Sequence, residues 1–117
     1  MINSIQEISI NSQIKKGILD YATLLIIARE KAYASDILKA LKDADLIVAE
    51  GTLYPLLSRL HIAGLLGYSW SESPTGPPRK YYTLTPAGTT LLGNLKQSWL
   101  HLTQSITTLS QHYESDR

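Results

Sequence analysis

Leu92, Leu95, Trp99, Leu102, Ile106, Leu109 and Tyr113 follow one another at spacings of 3, 4, 3, 4, 3 and 4 residues. That alternation is the a/d seam of a heptad helix, a narrow apolar stripe that meets another helix. The flanking positions hold Thr, Ser, Gln and His, and Lys96 is the only charged residue between Tyr81 and Tyr113. Charge pairs therefore cannot set how two such helices meet, and the shape of the packing surface must do so. The helix is long for the small body that precedes it, so the seam is expected to join two copies of the chain. Leu92, Leu95, Trp99, Leu102, Ile106 and Leu109 form the expected dimer interface. The alternative is that the stripe packs on its own globule.

The rest of the chain must supply that globule. Ile2, Ile5, Ile8, Ile10 and Ile14 lie among Asn, Ser and Gln, a spacing that suits a helix in part and a loose arm in part. Residues 15–29, with Ile18, Leu19, Ala22, Leu24, Leu25, Ile26 and Ile27, read as a helix buried on most sides. Ser35 or Asp36 is expected to cap a short second helix carrying Ile37, Leu38 and Leu41. In a third helix Leu53, Leu56, Leu57 and Leu60 fall on one face, and Pro55 forces its start to residues 50–52. Gly64 offers the left-handed position that ends it. Residues 66–71 and 79–84, rich in aromatic and β-branched side chains, flank a Pro/Gly turn over 73–78 and predict a hairpin. Thr85 as N-cap and Pro86 at the first helical position then open the last helix.

The fold class expected is α+β, mainly α: a winged helix-turn-helix over residues 15–85, preceded by an arm or helix over 1–14 and followed by a dimerisation helix over 86–117. At 117 residues the chain is one domain with room for a core. It has no cysteine, which excludes disulfide frameworks and thiolate chemistry and fits a reducing cytoplasm. No run approaches a membrane span, and the first 13 residues lack a signal-peptide pattern. His61, His101 and His112 lack metal-ligand spacing, and neither a phosphate loop nor a nucleophile elbow is present. No catalytic residue, metal or cofactor is expected, and the chain does not read as an enzyme.

Helix, short helix, helix, hairpin is the order in which a helix-turn-helix sets its later helix in the major groove and a wing reaches the backbone. Thr52, Tyr54 and Ser58 lie off the leucine stripe and are expected to face DNA, with Arg59 able to contact phosphate or guanine. Arg59 could instead pair with an acid such as Glu50 or Asp36. Arg79 and Lys80, just past the prolines, are the expected phosphate contacts of the wing. The charge is modest: residues 46–96 carry four basic and two acidic side chains. A winged-helix adaptor that binds protein through the same surfaces is the alternative function.

Two strings carry a family resemblance. Glu50-Gly51-Thr52-Leu53-Tyr54-Pro55-Leu56-Leu57-Ser58-Arg59-Leu60, with Gly64 and Leu65 after it, resembles the recognition helix of PadR-type regulators. Gly76-Pro77-Pro78-Arg79-Lys80-Tyr81-Tyr82-Thr83-Leu84-Thr85-Pro86-Ala87-Gly88 resembles their wing and the entry to the dimerisation helix. The resemblance is to the compact subfamily with a single C-terminal helix. It implies a homodimer that binds double-stranded DNA at a palindromic operator, usually as a repressor released by a small molecule or stress signal. One departure is Tyr33-Ala34-Ser35-Asp36, where the family often has a Tyr-Gly-Tyr-Glu-like stretch. Trp99 is placed like the aromatic that lines an inter-subunit cavity in compact members, which implies a pocket for a planar hydrophobic effector. Its other reading is a filled heptad position.

Overall fold

A computed structural model describes residues 4–115 as α1 (Ser4–Arg29), α2 (Ala34–Asp43), α3 (Glu50–Ile62), β1 (Leu66–Ser73), β2 (Gly76–Leu84) and α4 (Pro86–Ser115). Ile2 of the expected arm and the last two residues of the expected 86–117 helix lie outside the described residues, as do the side chains of Ile5 and Ile8. The segment before residue 15 is continuous with the core helix, so α1 is a single helix of 26 residues. No proline interrupts it, and Gln6, Glu7 and residues 9–14 are exposed while Leu19, Thr23, Leu24 and Ile27 are buried.

Around that buried half the other elements close the core. Ile37 and Leu41 of α2, the α3 stripe of Leu53, Leu56, Leu57 and Leu60, and Leu66 and Tyr82 of the hairpin complete it. The stripe is the one the leucine spacing predicts, since residues three and four apart share a helix face.

The start of α2 differs from the expected cap. Tyr33, in extended backbone, is the N-cap, and its N–H donates to the Asp36 carboxylate at 3.0 Å. Neither Ser35 nor Asp36 is the cap residue; Asp36 reaches back from the third helical position, as in half of a capping box. The cause is tertiary: Ala32 bridges Tyr82 through two backbone hydrogen bonds of 2.9 and 3.2 Å, which holds the chain extended up to Tyr33. At the other end Asp45 (φ 65°) takes the left-handed position, and Leu46 N–H donates to the Leu41 carbonyl at 2.7 Å. Gly64 (φ 80°) ends α3 in the same way, with Leu65 N–H donating to Leu60.

β1 and β2 pair antiparallel with Leu66 opposite Leu84, Tyr68 opposite Tyr82, Trp70 opposite Lys80 and Ser71 opposite Arg79. Both strands run further than expected, leaving only Pro74 and Thr75 between them. Pro77 and Pro78 belong to β2, in the irregular stretch between the Ser71–Arg79 and Ser73–Gly76 pairs, where the ladder needs no N–H from them.

α4 begins as its sequence dictates. The Thr85 hydroxyl accepts from Gly88 N–H at 3.0 Å and donates to the Gly64 carbonyl at 2.7 Å. Leu91, Leu92 and Leu95 rest against the core, after which the helix leaves the globule. At about 45 Å for 30 residues, it is the longest element of a molecule measuring 61 × 32 × 23 Å.

Gly88 is buried where α4 crosses the end of α3, and a Cβ there would overlap the Leu65 carbonyl oxygen. Backbone cannot swing aside as a side chain can, so Gly88→Ala should destabilise the fold by about 1–3 kcal/mol, the usual cost of overpacking. Denaturant unfolding monitored by circular dichroism measures this, and an unchanged midpoint would show that the junction has slack.

Candidate nucleic-acid interface

Only the stripe of α3 is buried, which leaves three other surfaces for its remaining side chains. Gly51, Pro55, Ser58 and Ile62 lie outward, opposite the leucines, by helical spacing. Tyr54, half exposed at 52%, turns towards the hairpin. Thr52 and Arg59 lie on the opposite flank, bordering a groove against α1 with Lys16 and Asp20. The three residues grouped by sequence as one face are therefore spread around the exposed arc of the helix.

Between α3 and the hairpin runs an open groove of about 430 Å³ lined by Tyr33, Ala34, Ser35, Tyr54, Trp70, Pro78, Arg79, Lys80 and Tyr82. Ser58, His61 and Tyr68 extend it along α3. Tyr54, Ser58 and Lys80 thus meet in one continuous surface, with Arg79 at its edge.

Arg79 and Lys80 are neighbours in β2, so their side chains leave opposite faces of the strand. Lys80 places its ammonium 4.4 Å from the centre of the Tyr68 ring and 5.4 Å from that of Trp70. Arg79 lies over Tyr33, its guanidinium carbon 5.1 Å from the ring centre. Tyr33 in turn stacks on Tyr81 at 3.9 Å, and Lys31 caps Tyr81 from 4.8 Å. Each cation is held over an aromatic face while its charge stays in water, so the wing presents oriented cations. Hydrogen bonds from Ser71 first and then Tyr81 hold the Tyr33 hydroxyl below the ordinary phenol pKa. The Tyr82 hydroxyl, held in the core wall, is raised, first by burial.

Arg59 makes an ion pair, though with neither acid named from sequence. Its Nη1 and Nη2 donate to Oδ2 and Oδ1 of Asp20 at 2.8 and 3.1 Å. Hydrogen bonding to Asp20, then the carboxylate's charge, push the guanidinium further above its already high pKa. Trp99 meets Tyr21 of α1, ring centres 6.4 Å apart and planes at 50°.

Tyr33, Trp70 and Tyr68 escaped the sequence reading of the site, as did Asp20 and Tyr21. The period-2 pattern of Tyr68 and Trp70 was visible in the sequence, but their partners depend on hairpin register. Asp20 and Arg59 are 39 residues apart, and local periodicity carries no signal across that distance.

Three helices, a two-stranded wing and a long fourth helix, with an open groove lined by aromatic and basic side chains between the third helix and the wing, define a winged helix-turn-helix regulator. The PadR-like family of transcriptional regulators matches residues 23–94, more than half of the chain, and the protein belongs to that family. A PadR-like transcription factor from Bacteroides fragilis is 51% identical, over 86% of this chain and 98% of that one, with a TM-score of 0.74. A PadR family regulator from Eggerthella lenta is 33% identical over 86% of this chain and 88% of that one (TM-score 0.79). One from Bacillus cereus is 36% identical over 85% and 97% (TM-score 0.75). The protein is accordingly a DNA-binding transcriptional regulator and not an enzyme. Among the described residues no helix is long and apolar enough to cross a membrane.

Replacing Arg79 and Lys80 together by Ala should weaken binding to every duplex to a similar degree. The log–log salt slope should become shallower by about 0.9 for each phosphate that is no longer neutralised. Tyr54→Ala should cost more at the preferred sequence than at random DNA. Fluorescence anisotropy across a salt series measures both, and a wing variant binding like wild type at all salt concentrations would remove the wing from the interface.

Proposed function

We propose that two copies of the chain join along α4 and act as a repressor at a palindromic operator, released by a planar apolar molecule that binds beside Trp99. The observation that carries this is the seam itself. Leu92 and Leu95 are half-buried against the core, while Trp99, Leu102, Ile106 and Leu109 are 45–63% exposed. A run of large apolar side chains this long marks an interaction surface, and its heptad spacing suits a second helix of the same kind. Ile10 and Ile14 of α1 are exposed as well, at 45% and 60%, and extend the apolar surface available to a partner.

In such a dimer the two α3 helices face successive major grooves. Thr52, Tyr54 and Ser58 read or brace the groove while Arg79 and Lys80 take backbone phosphates. Arg59 stands on the α1 flank of the same helix, engaged with Asp20. Trp99 and Tyr21 form a tilted aromatic corner on the seam side, suited to a flat ring that completes the stack. A ligand there favours one dimer geometry over another, and the spacing of the recognition helices follows.

Selection of bound sequences from random duplex DNA tests the reading. It should recover an inverted repeat with half-sites about one helical turn apart. Leu102→Glu, which sets charge into the seam, should give a folded monomer by sedimentation with operator affinity reduced at least tenfold. A wild-type chain that sediments as a well-folded monomer and selects no inverted repeat would contradict it.

A further inference from the structure

Two consecutive residues of α1 touch the two ends of the proposed device. Asp20 grips Arg59 of the recognition helix through a fork of two hydrogen bonds, 2.8 and 3.1 Å. Tyr21 lies against Trp99 of the seam helix. Successive residues on a helix point about 100° apart, so one turn of α1 can address α3 on one side and α4 on the other. That turn is rigidly seated, because Leu19, Thr23 and Leu24 beside it are buried. We propose that Asp20 is a positioning residue for the recognition helix, and that α1 couples the Trp99 side of the seam to α3 through Tyr21 and Asp20.

The fork is well suited to set orientation. Two parallel N–H to carboxylate bonds fix the plane of the guanidinium as well as its distance, which restricts rotation of α3 against α1. The pair is largely in solvent, Arg59 at 60% and Asp20 at 36% side-chain exposure, so its contribution to overall stability is small. What it supplies is direction. A displacement of Trp99 that carries Tyr21 with it moves the Asp20 carboxylate in the same rigid turn, and Arg59 with α3 follows. Coupling between two sites is reciprocal, so binding of DNA at α3 must be felt at Trp99.

This inference rests on the reading of α3 as the DNA-facing helix, and the test separates the two. Because Trp70 lines the groove beside Lys80, the operator affinity of Trp70→Phe is measured first and is the baseline for every comparison; in that chain Trp99 is the sole indole. Its emission is followed during titration with the operator duplex recovered by selection, at concentrations that saturate binding. The emission should shift on saturation. Asp20→Asn should still dimerise and bind, about tenfold more weakly, within the usual range of such couplings, and its Trp99 emission should no longer respond. Asp20→Glu, which keeps a carboxylate, should restore much of the response. Exchange of the pair, Asp20→Arg with Arg59→Asp, should restore both affinity and response, since it rebuilds the strut with the cation on α1.

An emission shift that survives in Asp20→Asn at saturating DNA would overturn the coupling. So would a reference chain that binds its operator with no change at Trp99. An exchange that folds and dimerises yet fails to regain affinity would also overturn it, showing that Arg59 acts directly on DNA. A protein that selects no operator would defeat the DNA-facing reading of α3 and this coupling with it.

Discussion

The relation among recognition helix, wing and α4 is decided at one small junction. There the Thr85 hydroxyl donates to the Gly64 carbonyl, Thr85 N–H donates to the Leu65 carbonyl at 3.1 Å, and Gly88 N–H donates to the Thr85 hydroxyl. Gly64 closes α3, Leu65 leads into β1, Thr85 leaves β2 and Gly88 lies in the first turn of α4. Four elements therefore meet within a few ångströms, and Gly88 lets backbone approach backbone there. The first turn of α4 is thereby anchored to the end of α3 and to the root of the wing, while its distal seam reaches α3 by way of α1.

Local chemistry makes much of this legible in the sequence. The α3 leucine stripe, Gly64 as its stop, and the Thr85–Pro86 start of α4 follow from periodicity, a left-handed requirement and capping, each confined to a few residues. Elsewhere a tertiary contact overrode the local signal. α2 opens after Tyr33 because Ala32 is bonded to Tyr82, fifty residues away. β2 runs through Pro77 and Pro78 because an irregular ladder tolerates them there.

The site was legible in its composition more than in its arrangement. Tyr54, Ser58 and Lys80 share a surface, but Thr52 lies across the helix with Arg59. Arg79 and Lys80, adjacent in sequence, are separated by the pleat and settle over different rings. With 11 Lys and Arg against 10 Asp and Glu, the chain has little net positive charge to draw DNA. Holding each cation over an aromatic face fixes where its charge is presented, a different means from the broad basic patch common among DNA-binding domains.

A dimer built on the α4 seam should hold its two recognition helices one turn of B-DNA apart, about 34 Å. Because the chain has no cysteine, Glu50→Cys at the first residue of α3 accepts a single spin label per copy. Pulsed electron–electron resonance on the free protein should then give one narrow distance distribution compatible with that spacing once the label arms are included. Absence of dipolar coupling at micromolar concentration, or a distribution centred below about 20 Å, where successive major grooves cannot both be reached, would contradict it.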